Sequence, residues 1–282
     1  WHYHFGRGIV ATPSDFGMMG ERPTHKELLD YLTTWFVDNG WSAKKLHKLI
    51  LTSRTYQRTS EMKAEAARAD PDNKLYWRFS PRRLEGESIR DAMLQVSGRL
   101  NLKMHGPGVF PPLPPGVVTR GGWKNGEPLE ESQRRSVYVF VRRNTPYPMF
   151  EAFDMPDTHE SCARRNTTLT APQALELMNN ELVFEWARAM AGRVLNDTGM
   201  PAEAAIERAW RLAFSRQPNA AEVASARSFL ERHTPILRER LARQERISLP
   251  GNLPANADGA AAAAFVDFCH MLLNSNEFVY LN

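Results

Sequence analysis

Cysteine is nearly missing from this chain: Cys162 and Cys269 are the only two in 282 residues. That excludes a disulfide-stapled small scaffold, paired Cys-x-x-Cys zinc ligands and the Cys-x-x-Cys-His attachment of covalent haem. Long apolar runs are missing too. The longest, Ala260 to Val266, spans seven residues, against roughly 18 for a membrane-crossing helix, so no membrane insertion is expected. Lysine stops at Lys124, and arginine supplies 28 of the 36 cationic residues. There is no His-Glu-x-x-His, no Gly-x-Ser-x-Gly and no phosphate-cradling glycine loop, so the common hydrolase and nucleotide signatures do not apply. An initiator Met and a basic-then-apolar leader are absent at Trp1, and the chain is expected to be a C-terminal piece of a longer protein, truncated at its N-terminus.

What is present is the composition of a folded chain, 42% hydrophobic and 24% charged, with length enough for a substantial core. Its charge is uneven. Residues 1–150 carry 23 Lys and Arg against 15 Asp and Glu, whereas residues 151–282 carry 13 against 17. A nucleic-acid surface would cluster its cations on one face beside stacking aromatics. Here the pairs Arg82-Arg83, Arg134-Arg135, Arg142-Arg143 and Arg164-Arg165 fall on different expected elements, so structural ion pairs are expected and no nucleic-acid partner.

Apolar periodicity and capping residues predict a mainly α, multi-helix domain. Thr24 to Glu27 has the form of a capping box, followed by Leu28, Leu29, Leu32, Trp35 and Phe36 at helical spacing and Gly40 as a stop. Ser42 caps a second helix. Residues 60–74 read as an exposed connection. A third helix is expected from Ser80 to Gly98. Residues 101–131 concentrate Pro and Gly into a long loop. Ser136 to Val141 (SVYVFV) is the strand candidate, a small β element around 136–141. Thr170 and Pro172 open a helix whose stripe runs to Gly192, and further helices are expected at about 201–214, 219–232, 235–247 and 260–273. The chain is read as one domain over 1–282, with a subdivision into a basic part, 1–131, and an acidic part, 132–282.

Four blocks in order, FGRGIVATPSDFGMMG leading into PTHKELLDYL, RRSVYVFVRRNTPYPMFEAFDMPD, SCARRNTTLTAPQALELMNN and the terminal LLNSNEFVYLN, resemble the planctomycete-type domain of unknown function family 1553, also called planctomycete-specific domain one. The resemblance implies an extracytoplasmic (periplasmic or secreted) setting, at the end of a large exported protein that often carries a cytochrome-c-like domain. It implies no cofactor in this chain, with haem only in a neighbouring domain, and upstream domains of the same polypeptide as partners. It brings no established activity and no assigned catalytic residues.

The densest group of reactive side chains is Asp154, Asp157, His159, Glu160, Cys162, Arg164, Arg165 and Asn166. A hydrolase would use Asp154 or Asp157 as general base, with His159 beside them and Arg165 or Arg164 stabilising a developing anion. A metal would take Asp154, Asp157 and His159, but no recognised ligand spacing supports it, so no metal is expected. The competing account is that these residues cap helices and pair with one another. Cys162 could act as a nucleophile with His159 as base, form a disulfide with Cys269, or remain a separate thiol like Cys269; an exported setting favours the disulfide. His2 and His4 are read as structural or partner-facing, Arg7 and Asp15 as a buried ion pair, and His47 as part of a solvated basic face. Trp123, in the loop GGWKNG, is the candidate for stacking on a polysaccharide, with Arg164 as a further ligand-binding residue. The sequence thus supports a binding or interaction module associated with redox or polysaccharide-processing systems, with a hydrolase over 154–166 as the alternative.

Overall fold

The structure is a computed structural model that describes residues 1–114, 116–117, 123–124, 127–198, 202–253 and 257–281. Pro201, the expected start of a helix, and Gly121, Gly122, Asn125 and Gly126 of the GGWKNG loop lie outside the described residues. The chain divides into two compact units.

The first unit combines Trp1–Arg83, Ser161–Arg164 and the residues from Tyr280 onward. It holds α1 (His2–Phe5), α2 (Lys26–Asp38), α3 (Ala43–Leu51), α4 (Ala64–Ala69), β1 (Arg82–Arg83) and β2 (Tyr280–Leu281). The apolar stripe builds α2, but the capping box does not form. Both the Thr24 amide and hydroxyl donate to the Ile9 carbonyl, at 2.9 and 3.2 Å, and His25 takes the cap position without a side-chain bond to the helix backbone. Ser42 does cap α3, its Oγ accepting from the Lys45 amide. The connection at 60–74 contains the one-and-a-half turns of α4. The helix expected from Ser80 is delayed, because Arg82 and Arg83 extend and pair antiparallel with Leu281 and Tyr280. Trp1, Phe5, Tyr56 and Tyr76 pack ring against ring, above a small core of Phe5, Ile9, Ile50 and Phe79.

The second unit, Leu84–Glu160 with Arg165–Val279, is helical: α5 (Gly86–Ser97), α6 (Leu129–Ser132), a 3-10 turn (Ser136–Tyr138), α7 (Pro148–Ala152), α8 (Ala171–Asn179), α9 (Glu181–Thr198), α10 (Ala202–Phe214), α11 (Ala220–Ala242), α12 (Gly259–Leu273) and α13 (Asn276–Val279). Gly98 ends α5 in the left-handed region, φ 74°. The expected helix over 170–192 breaks into α8 and α9 at Asn180, which is extended and takes the Leu182 amide on its Oδ1 at 2.8 Å. Gly192 is not a stop. It lies inside α9, where a Cβ would meet the Gly251 carbonyl oxygen at 2.6 Å, so glycine permits that close approach. α9 packs on α5, α10 and α12, and α12 on α11. Ile89, Met93, Val183, Met190, Ile206, Phe268 and Leu273 are wholly buried between them, each such side chain stabilising by about 1.5–3 kcal/mol.

The mainly α expectation holds, but the segment 136–141 is not a strand. The Asp91 carboxylate captures both the amide and hydroxyl of Ser136, at 2.7 and 2.6 Å, and the Tyr138 and Val139 amides turn back to Arg135 and Ser136. One residue, Val139, makes an isolated parallel bridge to Val109. The helices expected at 219–232 and 235–247 are one, α11, which runs through Pro235.

Candidate functional site

The loop after α7 is organised by its own charged residues. Asp154, at φ 62°, accepts the Thr168 amide and hydroxyl at 2.9 and 2.7 Å and Gln173 Nε2 at 3.4 Å, tying the end of α7 to the start of α8. Arg165 forms a two-pronged pair with Glu87, at 2.7 and 2.9 Å, and stands 3.4 Å from Glu85, pinning the loop to the start of α5. Asp157 accepts the His159 amide at 2.8 Å, a local turn that leaves the His159 ring exposed. No hydrogen bond or ion pair joins the side chains of Asp154, Asp157 and His159 among the described residues. Nor do those residues contain a cluster of three or more His, Cys, Asp or Glu placed to hold a metal.

Cys162 and Cys269 are free thiols, not a disulfide. Cys269 is fully enclosed on the buried face of α12, and burial pushes its thiol above the ordinary range, so it is inert. Cys162 is exposed and its Sγ donates to the Arg164 carbonyl at 3.2 Å. The Arg164 side chain is exposed. Trp123, expected to be exposed, is 6% accessible. Its Nε1 donates to the Pro111 carbonyl, and its ring stacks on Tyr147 and meets the edge of Phe110. The indole is thus spent on packing. In the first unit His4 Nε2 lies 2.7 Å from His47 Nδ1, so His47 is more than a solvated basic group. Burial, and after it the charge of Arg164, holds His2 below the usual imidazole range. Arg7 pairs with Glu21 rather than Asp15, whose carboxylate caps the Gly17 amide.

A cavity of about 270 Å³ opens in the second unit beside the loop. Arg142 and Arg143 line it together with Glu151, Asp157 and Thr158, and Pro146, Met155 and Pro156 supply the apolar wall. Of the candidate catalytic and ligand-binding residues named from sequence, only Asp157 reaches it. Among the described residues no carboxylate is paired with either Arg142 or Arg143, although most other arginines of this unit are so paired. Two unneutralised guanidinium forks in a concave surface are suited to a planar oxyanion. Sequence reasoning assigned this pair to structural salt bridges. A signal was present: no acidic residue occurs between Glu131 and Glu151, so Arg142 and Arg143 have no local partner.

No curated protein and no solved structure matches the chain. A family model described as Protein of unknown function (DUF1553), PSD1, matches residues 1–230. With most of its length covered in this way, the chain belongs to the PSD1 (DUF1553) family.

Proposed function

We propose that this chain is a binding module for an acidic saccharide, held in the Arg142–Arg143 cavity. The observation that carries the reading is the pair of arginines without carboxylate partners in a cavity that also presents Glu151, Asp157 and Thr158. Guanidinium forks take a carboxylate or sulfate two-pronged, carboxylates accept sugar hydroxyls, and prolines offer a flat apolar surface to the C–H face of a ring. A purely anionic ligand such as phosphate would leave the two carboxylates facing like charge; an acidic sugar satisfies both signs. An exported setting, next to haem-carrying or polysaccharide-processing domains of the same polypeptide, belongs to the same proposal and rests on the family.

The hydrolase alternative has one favourable observation, that Glu151 and Asp157 share the cavity. Against it, Asp154 and Arg165 are engaged in holding the loop, which supports binding over turnover. Calorimetric titration with oligogalacturonate and with its uncharged galactose counterpart distinguishes these readings. The acidic oligomer is expected to bind and the neutral one not, binding is expected to weaken with salt, and a double Arg142→Ala/Arg143→Ala variant is expected to lose about 10- to 100-fold in affinity. Equal binding of both oligomers, or of wild type and variant, overturns the proposal. Appearance of new reducing ends would move it to the hydrolase.

A further inference from the structure

In the first unit, α1 is a single turn of four residues, with no side-chain cap at its start and Gly6 at φ 78° closing its end. A helix this short does not hold itself, so it keeps its place by what its side chains touch. Phe5 is buried against the rings of Trp1, Tyr56 and Tyr76. Among the described residues, the one side-chain hydrogen bond from α1 to another element joins His4 Nε2 to His47 Nδ1 of α3, at 2.7 Å. The two imidazoles meet edge to face, and His4 meets the Tyr56 ring in the same way.

A neutral imidazole carries one N–H and one lone pair, so this contact needs a proton on one facing nitrogen and a lone pair on the other. One added proton can go to a nitrogen that faces away, and the bond persists. A second sets N–H against N–H, and the bond is lost; the two protons thus titrate as properties of the pair. The surroundings offer no counter-charge. Burial first, then the Trp1 amino group, His47 and Arg82 of β1, hold His4 below the usual imidazole range. Lys44 and Lys48 flank His47 on its own helix, Tyr56 adds a ring without charge, and α1, α3 and β1 contain no acidic residue.

We propose that the His4–His47 contact is an acid-released latch, which fastens α1 to α3 at neutral pH and lets it go when both rings carry a proton. Because the folded value of His4 lies below the unfolded one of about 6.5, the latch is complete above that pH and is lost as pH falls through the folded value. It involves none of the residues of the Arg142–Arg143 cavity and does not depend on their function.

The Phe5 and Gly6 amides, which donate to the Trp1 and His2 carbonyls, report on α1. Their hydrogen exchange in the full chain, followed by NMR and corrected for the intrinsic effect of pH, is expected to lose about tenfold in protection between about pH 7.5 and 5. His47 is exposed, so His47→Gln should fold. Its amide oxygen still accepts from His4 and never gains a charge, and the loss of protection is expected to shrink to less than about twofold. His2 lies on the same turn, but its ring meets Tyr3 and not a second imidazole, so His2→Gln is expected to behave as wild type. The proposal is overturned if wild type keeps its protection at pH of about 5, if His47→Gln loses it as steeply as wild type, or if His2→Gln removes the pH dependence.

Discussion

Arg90 illustrates how much a single side chain contributes to this fold. It is 1% exposed, and its fork donates to the Arg134 carbonyl at 2.9 Å, Ser136 Oγ at 3.1 Å and the Ser132 carbonyl at 2.5 Å. Burial pulls its guanidinium below the ordinary range, while Tyr147 and Asp91 beside it pull the other way. Arg134, equally buried, spends its own fork on the carbonyls of Lys103, His105 and Pro107 and lies 3.9 Å over the Tyr138 ring. The long loop that proline and glycine deprive of internal pairing is thus held by arginine donors instead. Arg90→Ala would leave three oxygens without donors in the interior, and is expected to cost about 3–5 kcal/mol in urea unfolding. Arg90→Lys keeps the charge but not the fork and should recover less than half of that; full recovery would show that charge alone suffices. None of this was legible in the sequence, where Arg134 and Arg135 are indistinguishable neighbours. The structure buries the first and leaves the second 52% exposed, and the carbonyls that take the buried fork lie more than 25 positions away. The Arg142–Arg143 cavity was hinted at only by the lack of acidic residues between Glu131 and Glu151, since whether an arginine is paired also depends on what folding brings beside it.

At the scale of elements, the start of α11 was legible and its middle was not. Asn219 and Glu222 form the reciprocal capping box their spacing implies, at 2.9 and 2.7 Å. Arg216 then bridges Glu222 and Glu277, joining α11 to α13 through four bonds of 2.6–2.8 Å. The bond from Arg216, helped by the Asn219 amide, lowers the Glu222 carboxyl to about 2. Because the folded value lies below the unfolded one of about 4.3, the stabilisation is complete at neutral pH and fades as pH falls from about 5 toward 2. The cluster is largely exposed, so solvent screening limits its worth. Glu222→Gln is expected to lose about 0.5–1 kcal/mol at pH 7 by urea unfolding, with a gap from wild type that narrows steadily below pH 5; a constant gap would assign the effect to the cap alone. Pro235, in contrast, was expected to divide this helix. It does not, because Leu237 packs against Ala260, Ala263 and Ala264 of α12, and that burial offsets one lost backbone bond. Conversely, SVYVFV had strand-like composition, but Asp91 takes both Ser136 donors, and among the described residues the segment's one bridge is that of Val139 to Val109.

At the scale of the whole molecule, the first unit is closed by residues from opposite ends of the chain. Arg82 and Arg83 of β1 pair with Leu281 and Tyr280 of β2, almost 200 positions later, a link that composition and periodicity do not reveal because two-residue strands leave no alternating pattern. Unlike a helix, whose bonds are local, such a ladder forms only after the intervening chain has folded. Its worth is that of a few backbone hydrogen bonds, about 1–3 kcal/mol in total, together with the partly buried side chains of Tyr280 and Leu281. A chain ending at Val279 tests this. Removal of β2 is expected to raise amide hydrogen exchange in β1 and in the surrounding first-unit segments, while α9 and α12, whose amides are closed within their own helices and packed on one another, keep their protection. A uniform rise throughout the chain would instead show that the two units unfold as one cooperative body, and no change at all would show that the ladder contributes nothing to the first unit.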